Sequence, residues 1–186
     1  GGLLLSSSGW FRPVRNETAL LLPGLLGTRR PRTINMSTIG ADLLRAADPA
    51  FGPRIDAVVV YNSNPVAVAP QSPQVVAGFS RPDLFTVVLE QFMTDTADHA
   101  DYVLPATTQL EHFDVHTSYG HPWVLVNEPA IAPLGEAKPN SQIFRELAAR
   151  MGFPESCFAD DDETLGRAAL TGIDFEALRR VGWVKL

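Results

Sequence analysis

The spacing of apolar and polar residues divides the chain into strands and helices from about residue 40 onward. AVVVY (57–61) is an unbroken, mostly β-branched run that stops at Asn62, Ser63, Asn64 and Pro65. Such a run predicts a strand buried on both faces, as in a parallel sheet. LFTVVLEQ (84–91) is a second buried strand that ends on two polar residues, and YVLPA (102–106) is a third. WVLVNEP (123–129) is expected as a fourth strand, at an edge. Between them SPQVVAGF (72–79) predicts a helix, with Ser72 as its cap and Pro73 in the first position. ADLLRAA (41–47) predicts a short helix stopped before Pro49, and Thr94 or Asp95 can cap another running through His99. NSQIFRELAARMG (140–152) is the clearest helix: Asn140 caps it, Ile143, Leu147 and Met151 share one face, and Gly152 sits at C′. DDETLGRAAL (161–170) and DFEALRR (174–180) predict two short helices at the end.

Alternating strands and helices imply an α/β fold, a mostly parallel sheet flanked by helices. Residues 1–38 carry no period; LLLPGLLGTRRPRT, broken by prolines and glycines, reads as loop or arm. The expected organisation is an N-terminal arm and short helix (1–50) packed on the core, an α/β core (51–155), and a C-terminal helical extension (156–186). The chain starts at Gly1 and not at Met, so a fragment of a longer polypeptide is expected.

Composition narrows the function classes. With 45% hydrophobic and 19% charged residues the chain has material for a core. The net charge of -6, and the lack of any Lys/Arg cluster larger than Arg29, Arg30 and Arg32, argue against nucleic-acid binding. Cys157 is the only cysteine, so no internal disulfide, Cys-rich zinc site or iron–sulfur site can form within the chain. A single cysteine fits a reducing compartment, and a cytoplasmic location is the expectation. No run is long and apolar enough to span a bilayer, and GGLLLSSSGWF does not read as a signal peptide.

In open α/β sheets ligands sit outside the carboxyl ends of the strands. That rule selects Asn62–Asn64, residues 90–94, and the segment from 104 to His112. Asn64 can bond a nucleotide or simply make a turn. Glu90 stands where dinucleotide-binding folds place a ribose-binding carboxylate, with Gln91 beside it. The turn after the first strand lacks G-x-G-x-x-G, so the fold is Rossmann-like without the Gly-rich fingerprint. Thr94 opens a helix whose free N–H groups can meet an anion, or it merely caps that helix. Asp101 reads as a backbone-bonding turn residue. His112 and His116 are four apart, but DVHTSYGHPW is a poor helix and H-E-x-x-H is absent, so a protein-held metal is not expected. There is no G-x-S-x-G, and Cys157 stands near acidic Asp160–Asp162, so no catalytic nucleophile is assigned.

In order, SNP after the first strand, VVLEQFMTDTADHADYVLPATTQLEH, and NEPAIAPLGEAKPNSQIFRELAARMG resemble one domain of the molybdopterin oxidoreductases. This is the dimethyl sulfoxide reductase family, which includes formate dehydrogenases and nitrate reductases. The signature residues are Thr94, Thr96, Ala97, Ala100, Asp101, Leu104, Pro105 and Glu111, and the resemblance covers roughly 55–152. It implies an α/β domain holding one of two molybdopterin guanine dinucleotides around molybdenum or tungsten in the full-length protein. By position it assigns cofactor contacts to Asn64, Glu90, Gln91, Thr94, His112 and Asn140. The neutral Gln91, His112 in place of Lys, and Asn140 in place of Asp depart from many relatives, as does TSYGHPW (117–123). The metal's protein ligand and any iron–sulfur cysteines lie elsewhere in such enzymes, so this stretch is expected to lack the cofactor and activity by itself. Its implied partners are the remaining domains of the parent enzyme. Two alternatives stand beside this reading: a non-catalytic scaffold domain that kept the fold and lost the cofactor, and a metal hydrolase using His112, His116 and His121.

Overall fold

The computed structural model describes residues 16–117 and 122–185. The α-helices are α1 (Glu17–Leu21), α2 (Ile39–Leu44), α3 (Pro65–Val68), α4 (Ser72–Phe79), α5 (Asn140–Met151), α6 (Asp162–Ala169) and α7 (Phe175–Val181). The strands are β1 (Ala57–Tyr61), β2 (Phe85–Glu90), β3 (Tyr102–Pro105), β4 (Asp114–Thr117), β5 (Trp123–Asn127) and β6 (Trp183–Lys185). The fold is α/β, with one parallel and one antiparallel three-stranded sheet. Two compact units interleave along the sequence. One comprises Arg30–Ala106 and Glu136–Asn140; the other comprises Gly1–Arg29, Thr107–Gly135 and Ser141–Leu186.

The first unit is built on β1-β2-β3, all parallel, with Tyr61 beside Leu89 and Glu90 beside Pro105. Its core lies on one face of the sheet, where Leu43, Val75 and Phe79 of α2 and α4 meet Val60 and Val88. Two glycines allow the helices to approach this closely. A Cβ on Gly40 would stand 2.6 Å from the Val75 nitrogen, and one on Gly78 would stand 2.8 Å from the Leu43 Cβ. The expectation that 57–61 is buried on both faces fails: Val59 and Tyr61 are each 51% exposed. The β-branched run favours a strand either way, but the α2–α4 core covers one face and β1 lies at the edge of its sheet.

The second unit carries β4-β5-β6, antiparallel, with β5 in the middle. Residues 123–129 were expected as a strand at an edge; Trp123–Asn127 form instead the middle strand of this separate sheet. Its partner strands are four and three residues long, too short to announce themselves. Val124 is fully buried and packs with Leu170, Phe175 and Leu178. Arg167 and Arg179 tie Glu163, Glu176 and Glu128 together over this core.

Several local expectations also change. Within the supposed arm, α1 forms, capped by the Asn16 side chain, and two 3-10 turns follow; residues 1–15 lie outside the described residues. Ser72 is the first residue of α4 and not its cap. The helix expected from Thr94 through His99 is one 3-10 turn, Ala97–His99. Asn140 opens α5, but its side-chain oxygen accepts nothing and caps no N–H. Ile143, Leu147 and Met151 line up as expected, yet Leu147 and Met151 face a cavity of about 320 Å3 and not a closed core.

The glycine contact between α2 and α4 gives a direct test. Gly40→Ala forces backbone against backbone, so urea denaturation should show a loss of about 1–3 kcal/mol, the usual range for overpacking. The same substitution at Gly24, with nothing within 4 Å and no positive φ, should leave stability within about 0.5 kcal/mol.

Candidate functional site

The three strands of the parallel sheet release their loops at one edge. After β1 the chain turns at Asn62, whose φ of 52° is left-handed, a conformation asparagine tolerates better than most residues. The Asn62 Oδ1 accepts from the Asn140 Nδ2 at 3.0 Å. This leaves the Asn140 Oδ1 buried with no hydrogen-bond partner, a costly state for an amide oxygen that a donor from outside would relieve.

Asn64 is differently placed. Its Oδ1 accepts from both the Thr96 N–H (3.1 Å) and the Thr96 hydroxyl (2.7 Å). Its Nδ2 donates to Asp95 at 3.2 Å. An amide oxygen has two lone pairs, and both are used here within the protein.

After β2, the Glu90 carboxylate takes the N–H of Gln91 at 2.7 Å, and Gln91 is exposed. The Thr94 hydroxyl accepts the Ala97 N–H at 3.3 Å, so Thr94 acts as a cap. With a single 3-10 turn behind it, no macrodipole builds up, and anion binding by a helix N-terminus does not apply. After β3, Ala106 N–H bonds the Glu90 carbonyl and Lys138 N–H bonds the Pro105 carbonyl, both at 3.1 Å. The segment holding Lys138 and Asn140 is thereby brought to the same edge. Asp101 has the backbone role expected of it, its Oδ2 accepting the Thr86 N–H at 2.7 Å.

Asn64, Glu90, Gln91, Thr94 and Asn140 thus belong to one unit, whereas His112 belongs to the other. There His112 Nδ1 and the Thr107 hydroxyl share a hydrogen bond of 2.8 Å. Beside it Glu111 is 8% exposed. Its carboxylate accepts the N–H groups of Thr108 (2.8 Å) and Leu134 (2.7 Å) and the Thr108 hydroxyl (3.0 Å). The Thr108 N–H first, then that of Leu134, holds this carboxyl below its ordinary value. The signature glutamate is therefore a brace between two loops. Sequence reasoning placed Asn62 among the strand-end residues and Thr96 among the signature residues, but gave neither the role of organising the edge, because their partners lie far away in the chain.

His116 lies on β4, 3.9 Å from Asp114, and not on a helix with His112. His121 lies outside the described residues. Among the described residues no group of three His, Cys, Asp or Glu is placed to hold a metal, and no helix is long and apolar enough to cross a membrane. Cys157, a free thiol, lines the cavity with Phe144, Met151, Phe153 and Phe158.

A parallel three-stranded sheet with helices packed on it, and polar residues gathered where its strands end, defines the class as an α/β fold. Residues 36–150 match the family described as Molybdopterin oxidoreductase, and the chain belongs to that family. It is 39% identical to the probable oxidoreductase YoaE of Bacillus subtilis over all of its own length, and spans 27% of that protein. It is 31% identical to the menaquinone reductase, molybdopterin-binding-like subunit, of Nitratidesulfovibrio vulgaris, over 66% of this chain and 18% of that one. Among solved structures, acetylene hydratase from Pelobacter acetylenicus superposes with a TM-score of 0.66 at 26% identity, covering 82% of this chain and 21% of that one. The chain thus spans about a quarter or less of each of these relatives.

Because the carboxyl of Glu111 is lowered from 4.5 in the folded protein, its stabilising contribution is present above that pH and lost as pH falls through the folded value. Glu111→Gln should lower the melting temperature at pH 7, and the gap to wild type should narrow as the pH drops below about 4.5. Thermal melts from pH 3 to 7 check this.

Proposed function

We propose that this chain is a cofactor-binding part of a molybdopterin-dependent oxidoreductase. Its parallel-sheet unit, Rossmann-like without the glycine fingerprint, would hold one guanine dinucleotide of a bis-molybdopterin cofactor. The observation that carries the reading is the buried, unpartnered Asn140 oxygen, near the end of a sheet edge that also carries Glu90, in a chain of this family. Both groups are acceptors. Guanine presents N–H donors and ribose presents hydroxyls, so the residues fit the nucleoside end of such a cofactor. The cofactor, with its molybdenum or tungsten, supplies the electron-transfer chemistry when bound, and the protein supplies binding and orientation. Glu90 and Asn140 accept from the nucleoside, with Gln91 alongside them. Thr94 shapes the loop by capping it. His112 stands in the other unit and is not assigned to this edge.

A second reading has a specific observation behind it. Asn64, a contact by resemblance, spends both lone pairs of its oxygen inside the protein. A relative of this chain carries the description molybdopterin-binding-like. A domain that kept the fold and lost the cofactor would also look this way.

Acid extraction of the longest native polypeptide containing this chain, followed by mass spectrometry and metal analysis, separates the two readings. Guanine nucleotide with molybdenum or tungsten is expected; an intact protein carrying neither supports the scaffold. On the chain itself, Glu90→Ala should weaken guanosine diphosphate binding about tenfold, as the loss of one charge-assisted hydrogen bond does. Isothermal titration calorimetry reads that change.

A further inference from the structure

We infer that Thr96 and Asn64 form a latch that positions the cofactor edge, so that both act through loop geometry and neither by touching the ligand. The inference rests on the cofactor-binding reading above. Thr96 is completely buried. Valine would fill almost the same space, so the hydroxyl needs bonds to offset its desolvation. It has them: it donates to the Asn64 Oδ1 at 2.7 Å and accepts the Val66 N–H at 3.0 Å. The Thr96 N–H completes the bridge to the same Asn64 oxygen at 3.1 Å.

These bonds join residues thirty or more apart. One side is the loop after β1 and the start of α3; the other is the loop after β2. The two strands are neighbours, with Tyr61 beside Leu89, so their loops leave the sheet side by side. Nothing in regular parallel pairing fixes loops beyond the last strand residues. The latch does so here, and it also supplies the Val66 N–H, in the first turn of α3, with a partner it would otherwise lack. Asn64 spends its acceptor capacity on the latch and one donor on Asp95, which leaves it little with which to bind a nucleotide. Glu90 and Gln91 stand at the start of the latched β2 loop. Glu90 is held by its pairing with Pro105, and it is the course of the loop from Gln91 onward that depends on Thr96.

The test uses the chain with Thr96→Val, Thr96→Ser and Asn64→Ala, separately and as the Asn64→Ala/Thr96→Val pair. Guanosine diphosphate affinity is measured by calorimetry and amide exchange by mass spectrometry. Thr96→Val should weaken binding about tenfold, and Thr96→Ser should stay within about threefold of wild type, since it keeps the hydroxyl. Exchange should quicken at 64–67 and 94–97 in Thr96→Val and not in β1 or β2. The pair should bind no more than about twofold worse than its weaker single variant, the mark of residues acting as one unit. Unchanged exchange in Thr96→Val, or effects that multiply in the pair, would overturn the latch. If Thr96→Val does not fold, Asn64→Ala and Thr96→Ser carry the same comparison: Asn64→Ala must loosen 94–97, and failure to do so overturns the proposal. Wild-type chain that does not bind guanosine diphosphate, with both loops still loosened in Thr96→Val, refutes the cofactor reading and with it the positioning role, while the loop brace itself survives.

Discussion

Parallel pairing governs the first unit. A strand can lie parallel to its predecessor only if the chain first returns the length of the sheet. Each of β1, β2 and β3 therefore begins at one edge and releases its loop at the other. The return from β1 to β2 is made by α3 and α4, and α4 can lie against α2 only because Gly40 and Gly78 carry no side chain. The gathering of Asn62, Asn64, Glu90, Gln91 and the residues after β3 at one edge follows from that topology. In the three-strand order β1-β2-β3 the direction never reverses. The edge is thus defined by where strands end, and no topological crevice marks a point on it.

The polar residues at this edge divide by what their hydrogen bonds are already doing. Thr94 caps, Asn64 and Thr96 hold each other, and Asp101 supports the start of β2. Glu111, in the other unit, braces two loops. A group whose lone pairs and protons are all engaged has little to offer a ligand. The Asn140 oxygen differs from these: it is buried and without a partner, on the residue that opens α5.

Much of this was legible beforehand. The β-branched runs placed β1 and β2 and the proline placed the end of β3. The short helices expected at 161–170 and 174–180 are α6 and α7, and Gly152, with φ 72°, marked the end of α5. The strand-end rule singled out Asn62–Asn64 and residues 90–94, and these do follow the carboxyl ends of the neighbouring strands β1 and β2. The rest was hidden for physical reasons. A run such as AVVVY reads alike whether one face or both are covered, and β1 has Val59 and Tyr61 half exposed. The antiparallel sheet rests on DVHT and WVK, strands too short and polar to carry a period. The partner of Asn64 lies thirty-two residues away, and the partner of Asn62 seventy-eight. No spacing in a sequence encodes such pairs. Only the resemblance over 55–152 reached across that distance, and it named the positions without saying which of them would turn inward.

The central claim is that the carboxyl edge of the parallel sheet is a nucleotide site. The most direct measurement is a titration of the isotope-labelled chain with guanosine diphosphate, followed by amide and side-chain NMR shifts. The account predicts saturable changes confined to the loops at 62–66 and 90–97 and to 138–141, with the Asn140 side-chain amide among the largest. Shifts that are absent, or that spread evenly over the surface without saturating, would contradict it.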